Sequence, residues 1–249
     1  MKIHILGSGT CVPNIRRGSS GYALELPQSK ILLDCGNGAT WKLGKVGIDY
    51  LGVDHIFITH FHPDHTADLI PFLFATKYPG LNRRREKPLY IWGPEGFPGF
   101  YASLKTVYND WIAPDKLIVK EIGSEPLKFD DFILTAGNTF HTDNSLAYRI
   151  ESGGKSVVYS GDAGYSESLI ELAKNVDLLI IECSLPDALK FENHLTPTEV
   201  GKIGSASRAK KIILTHLYPE CDEIDVAGQV RKHVDADVIV AEDLMQIDL

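Results

Sequence analysis

Short apolar runs separated by Gly, Ser, Asn and Pro fill the first part of the chain. Ile3 to Leu6, Tyr22 to Leu26 and Ile31 to Asp34 read as strands. A helix is expected over Gly38 to Val46 and a strand over Asp54 to Thr59. An apolar-rich helix follows over Ala67 to Tyr78 and stops at Pro79-Gly80. Leu89 to Trp92 reads as a strand and Phe97 to Asp110 as a helix. From about Leu117 the pattern starts again. Strands are expected over Leu117 to Glu121, Phe132 to Thr135, Leu146 to Ile150, Val157 to Ser160 and Leu178 to Glu182. Helices are expected over Ser166 to Lys174 and Pro197 to Ser207, the second with Thr196 as N-cap and Pro197 in the first helical position. Lys211 to Thr215, Asp237 to Ala241 and Leu244 to Ile247 complete the strands, with a helix near Asp225 to His233.

The two halves of this pattern rhyme. Thr59-His60-Phe61-His62-Pro63-Asp64 follows one apolar strand, and Thr215-His216-Leu217-Tyr218-Pro219-Glu220 follows another. Leu32-Leu33-Asp34-Cys35-Gly36 resembles Val158-Tyr159-Ser160-Gly161-Asp162 in the same way. No linker or low-complexity stretch separates them. We expect one folded domain, 1–249, made of two pseudo-repeated β-rich halves of about 1–115 and 116–249.

Composition narrows the possibilities. A chain of 249 residues with 44% hydrophobic content has ample material for a core. No apolar run reaches the roughly 20 residues that span a bilayer, and the N-terminal strand is too short for a signal-peptide core. Cys11, Cys35, Cys183 and Cys221 form no C-x-x-C pair and read as reduced thiols of a cytoplasmic protein. The formal net charge of −8 argues against indiscriminate nucleic-acid binding. Arg83-Arg84-Arg85 with Lys87 is the main basic cluster and reads as solvated loop charge. Pro71 to Lys87, apolar then basic, could serve as a dimer face or a nucleic-acid contact.

The chemistry is concentrated in His60-Phe61-His62-Pro63-Asp64-His65, where three imidazoles and a carboxylate stand at the end of an apolar β-run. His and Asp are common ligands of zinc and related divalent ions. In extended backbone, residues two apart point the same way, so His60 and His62 can reach one ion. Asp64 and His65 come after Pro63 bends the chain and point elsewhere, toward a second ion. Two ions need further ligands at strand ends. His141 follows Phe132 to Thr135, Asp162 follows Val157 to Gly161, and His216 follows Lys211 to Thr215. Ligands gathered at one end of several strands fit the placement of α/β sites along one sheet edge. His194 stands just before a helix, where on residues alone it is equally a proton-transfer group or an exposed histidine.

This ordered pattern resembles the metallo-β-lactamase superfamily across essentially the whole chain. Leu6-Gly7-Ser8-Gly9-Thr10, Pro13, Ser19-Ser20-Gly21 and Leu33 to Gly38 are similar to its ribonuclease Z group and smaller phosphodiesterase relatives. The resemblance implies an α/β fold, a four-layer αββα sandwich with the metal centre at one edge of its two sheets. It implies two divalent ions, most simply Zn²⁺, with Mn²⁺ or Fe²⁺ as alternatives. His60, His62 and His141 would hold one, Asp64, His65 and His216 the other, and Asp162 would bridge them. Asp64 would also orient the attacking water, and Glu182 with His194 would deliver a proton to the leaving group. Asp34 would either support a ligand from behind or cap its turn. A homodimer and a phosphodiester substrate are implied too. His141 and Asp162, however, lie only 21 positions apart, which leaves no room for the long arm with which ribonuclease Z grips transfer RNA. A small phosphodiester is therefore favoured over RNA. A lactonase or thioesterase of the same fold or a transfer-RNA 3′ endonuclease is the alternative, and a metal-binding scaffold without turnover is a further one.

Overall fold

The computed structural model describes residues 1–249. Its fourteen strands, numbered along the chain, form two seven-stranded sheets. The first sheet contains β1 (Lys2–Gly7), β2 (Gly21–Glu25), β3 (Lys30–Leu33), β4 (His55–Phe57), β5 (Leu89–Gly93), β6 (Leu117–Glu121) and the last strand, β14 (Gln246–Asp248), in the order β14-β1-β2-β3-β4-β5-β6. The second contains β7 (Leu127–Lys128), β8 (Ile133–Asn138), β9 (Leu146–Ser152), β10 (Lys155–Tyr159), β11 (Leu178–Glu182), β12 (Lys211–Thr215) and β13 (Asp237–Val240), paired in sequence order.

Each sheet runs three antiparallel pairings into three parallel ones. This shared order supports a duplicated unit, which we carry forward as a proposal. By position β3 corresponds to β10, so Asp34 and Asp162 leave equivalent strands. His60 and His216 leave β4 and β12, strands one position apart in that correspondence. Leu117–Glu121, expected to open the second half, is instead the edge strand of the first sheet, paired with β5. The restart falls at Leu127.

Helices cover the outer faces. On the first sheet α1 (Ala39–Lys45), α3 (Leu69–Lys77) and α4 (Phe97–Tyr108) supply Ala39, Leu43, Leu69, Phe72 and Phe97 to a buried layer with Leu32, Ile56 and Ile91. On the second, α5 (Glu167–Leu172), α6 (Pro197–Ser207) and α7 (Val226–Arg231) pack Leu169, Val200, Ile203 and Val230 against Leu179, Ile181 and Ile212. A third layer lies between the sheets, with Ile3, Ile5, Tyr22, Leu24 and Phe57 meeting Tyr148, Ile150, Tyr159 and Ile180. The architecture is the αββα sandwich. It explains why β11 reads as an unbroken apolar run: Leu178 and Ile180 face the opposite sheet while Leu179 and Ile181 face helices.

One expected helix differs. Ala67 to Tyr78 is replaced by the short helix α2 (Pro63–Thr66) and, after a break, α3. The cause is tertiary. The Asp68 carboxylate accepts a hydrogen bond from Thr40 N, and Asp68 N donates to Cys35 O, so the chain is pinned between the two helices. The basic cluster also departs from expectation in part. Arg85 is buried and its guanidinium donates to the carbonyls of Leu51, Val53 and Pro88, whereas Arg83 and Arg84 are exposed.

Candidate metal centre

β4 ends at Phe57, and the chain continues past the sheet edge until Pro63 opens α2. Proline is preorganised for the first helical position and cannot extend the preceding strand run. His62 therefore sits on extended backbone, and Asp64 and His65 on the first turn of a helix. Close backbone packing sustains this bend. A Cβ at Gly36 would stand 2.1 Å from the Asp64 carbonyl, so the β3 loop admits only glycine there.

The second sheet delivers the other residues. His141 follows β8, Asp162 follows β10, Glu182 ends β11 and His216 follows β12. His216 has φ +53°, a left-handed conformation, and its Nε2 lies 3.3 Å from Asp162 Oδ1. Donor atoms of His60, His62, His141 and Asp162 all lie within 4.8 Å of one another, as do those of Asp64, His65 and His216. From the sequence these residues are expected as ligands of two ions with Asp162 shared between them, and the fold brings them together.

Asp162 faces both. Its Oδ2 lies 3.7 Å from His60 Nε2 and 3.6 Å from His141 Nε2. Its Oδ1 lies 3.2 Å from His65 Nε2 and 3.3 Å from His216 Nε2. Asp64 Oδ2 is 3.4 Å from His216 Nε2 and 3.8 Å from His65 Nε2. Three of these buried atoms, His60 Nε2, His65 Nε2 and Asp162 Oδ1, have no hydrogen-bond partner. Leaving such a group unsatisfied costs about 1–3 kcal/mol, so three that converge on one volume fit a cation-binding set. The donor chemistry, imidazole nitrogen with carboxylate oxygen, fits divalent zinc or its neighbours.

The opposite ring nitrogens are held from behind. His65 Nδ1 donates to Asp34 Oδ2 at 2.7 Å, His60 Nδ1 lies 3.0 Å from Thr59 Oγ1, and His141 Nδ1 donates to Asn193 O at 3.0 Å. Such partners fix which nitrogen is free to ligate. Asp34 is fully buried and accepts from four donors: Thr59 N, Thr59 Oγ1, His65 Nδ1 and Tyr159 Oη. Of the two roles open to it from sequence, the geometry is that of a ligand support.

Electrostatics follow the packing. Burial and then the neighbouring imidazoles hold His60 far below its ordinary pKa, in the neutral form that ligates. His65 is moved the other way: burial opposes, but Asp162 and Asp34 on its two sides raise it well above the ordinary value. Surroundings negative enough to hold a proton there suit a cation. For Asp162 burial works upward, yet His216 and His65 keep its carboxyl well below the carboxylate range.

Glu182 and His194 join the same cluster. His194 Nδ1 donates to Glu182 Oε1 at 2.9 Å, and a His194 nitrogen lies within 4.8 Å of atoms of Asp162 and His216. Burial opposes its charge, but the hydrogen bond and the negative charge of Glu182 raise His194 to about 9. Sequence reasoning left two neighbours without a role. Ser184 Oγ contacts Glu182, His194 and His216. The Tyr218 ring lies 6.5 Å from His194 and 6.3 Å from His216. The two-residue periodicity past β11 would have put Ser184 on the face of Glu182.

Two mixed sheets flanked by helices, with a His/Asp cluster at their common edge, define a metallo-hydrolase architecture. The sequence matches the metallo-beta-lactamase superfamily over residues 15–216, and the chain belongs to that superfamily. It is 31% identical to the probable metallo-hydrolase YhfI of Bacillus subtilis, over 87% of this chain and 87% of that protein. It is 26% identical to ribonuclease Z of Methanothermobacter thermautotrophicus, covering 100% of this chain and 97% of the relative. The crystal structure of YhfI superposes with a TM-score of 0.88 at 25% identity, over 99% of this chain and 98% of that one.

Proposed function

We propose that this chain is a metal-dependent phosphodiesterase that hydrolyses a small phosphodiester at a dinuclear centre. His60, His62 and His141 would hold one divalent ion and Asp64, His65 and His216 the other, with Asp162 available to both; zinc is the ion proposed. When bound, the two ions would supply positive charge for the phosphodiester oxygens and lower the pKa of water toward neutrality. The chain's own groups do the rest. Asp64 accepts a hydrogen bond from the attacking water and orients it. His194, its Nδ1 fixed on Glu182, presents Nε2 to the cleft and donates a proton to the leaving alkoxide. General acid catalysis of this kind typically contributes about 10²–10⁴-fold.

The observation that carries this reading is the Glu182–His194 pair, 2.9 Å apart and beside Asp162 and His216. An acyl hydrolase has no need of a proton donor paired in this way at the metal edge. A small substrate is favoured over transfer RNA because the interval from His141 to Asp162 holds only the β9–β10 hairpin. Gly153 and Gly154, at φ +58° and +74°, turn it tightly. The proposal includes a homodimer and a cytoplasmic location. The exposed apolar side chains Trp41, Phe74, Tyr78 and Trp111 support the first, and four free cysteines support the second. No helix is long and apolar enough to cross a membrane.

The test is hydrolysis of bis(p-nitrophenyl) phosphate by metal-analysed protein, alongside an aryl carboxylic ester and a lactone. Turnover of the phosphodiester alone is expected. Turnover of only the ester or lactone would replace the proposal with an acyl hydrolase.

A further inference from the structure

Ser184 is fully buried, and its hydroxyl lies 2.5 Å from Glu182 Oε2, 3.0 Å from His216 Nδ1 and 3.3 Å from His194 Nδ1. A hydroxyl has one proton and two lone pairs, whereas a carboxylate only accepts. The short contact therefore takes the Ser184 proton to Glu182. Ser184 Oγ is then an acceptor toward the imidazoles, and His216 Nδ1 must carry hydrogen to bond it. His194 Nδ1–H is used at the shorter distance by Glu182 Oε1. In the neutral ring, His216 Nε2, which faces Asp64 and Asp162, then keeps its lone pair for a cation.

We propose that Ser184 is a positioning residue that fixes the ligating tautomer of His216 and links that ring to the Glu182–His194 pair. The inference rests on the metal-centre reading above and extends it. Glu182 is the hub of the device. Besides His194 and Ser184, it accepts from Leu195 N at 3.0 Å and from Ala163 N at 2.6 Å, the amide that directly follows Asp162. One buried carboxylate thus orients the proton donor, steadies the backbone carrying the shared aspartate, and reaches His216 through a single hydroxyl. His216 has no other partner on Nδ1, so its orientation depends on Ser184, as that of His65 depends on Asp34.

The experiment compares Ser184→Ala and Ser184→Val, which lack the hydroxyl, with Ser184→Thr, which restores it. Zinc content and affinity are measured by titration, and imidazole tautomers by ¹⁵N chemical shifts of the zinc-loaded protein. Ser184→Ala and Ser184→Val are expected to bind one of two zinc ions about 10–100-fold more weakly and to lose the Nδ1–H signature of His216. Ser184→Thr is expected to keep both. Valine and threonine nearly match in shape, so a packing defect would affect them alike, and alanine adds no volume. Equal zinc affinity and an unchanged His216 spectrum without the hydroxyl would overturn this inference alone. Wild-type protein that holds no zinc would overturn the metal-centre reading and this inference with it.

Discussion

His55 and His60 stand five residues apart on one stretch of chain, at opposite edges of the sandwich. Both are buried, and burial lowers both pKa values. Their surroundings differ. His55 lies among rings, 4.6 Å from Phe129, 5.3 Å from Tyr90 and 5.5 Å from Phe132 by centroid, and its Nδ1 accepts from Trp92 Nε1. His60 lies among imidazoles, 4.5 Å from His62 and 4.2 Å from His65, with Nε2 unpartnered and Asp162 in front of it. Burial alone therefore does not mark a functional histidine. Several titratable neighbours around a nitrogen with no partner single out the candidate.

Four substitutions test this contrast, from the largest effect downward. Asp162→Ala is expected to abolish phosphodiester hydrolysis by more than about 10³-fold and to lose metal measured by elemental analysis, while His55→Phe leaves metal content unchanged. Metal loss in His55→Phe would dissolve the distinction between the two edges. His194→Ala is expected to keep its metals and lose about 10²–10⁴-fold on a dialkyl phosphodiester, but far less on an activated aryl one. Equal losses on both substrates would remove its role as proton donor. Asp34→Asn, which leaves His65 Nδ1 without its carboxylate, is expected to weaken metal binding about 10–100-fold, read by competition with a chelator.

The smallest effect belongs to the distal edge and concerns pH. Burial lowers the His55 pKa to about 4 from its ordinary 6.5. Between these values the unfolded chain binds a proton that the folded chain refuses, so stability falls as pH is lowered through this window. The loss is on the order of 2 kcal/mol. Denaturation curves from pH 7 to 4.5 should show a shallower decline for His55→Phe than for wild type. Its offset at neutral pH reflects the hydrogen bond from Trp92, about 1 kcal/mol. Parallel declines would assign the acid sensitivity to other groups.

The contrast also shows what a sequence carries locally. β6, β11, β12 and α6 agree with their expected spans to the residue, because each is a clear apolar run or has a Thr-Pro start. The candidate string at 60–65 is legible because its residues are adjacent and its spacing has a geometric meaning. What depends on distant pairing is not. No local pattern says that Leu117–Glu121 belongs to the first sheet, that Asp68 interrupts a helix by bonding Thr40, or that Arg85 is buried on carbonyls. Ser184 is a polar residue among many until His216, 32 positions away, is brought beside it.

The last strand gives this topology a temporal side. β14 pairs Gln246–Asp248 with Lys2–His4, so the first sheet gains its outer strand from the far end of the chain, whereas the second draws every strand from residues 127–240. During synthesis β1 keeps one edge unpaired until residues 246–248 have emerged, and closing so long a loop is entropically slow. The second sheet meets no such delay. His60, His62, Asp64 and His65 come from the side that waits, and His141, Asp162 and His216 from the side that does not. The candidate site therefore joins residues from both sheets and is complete only once the two have met.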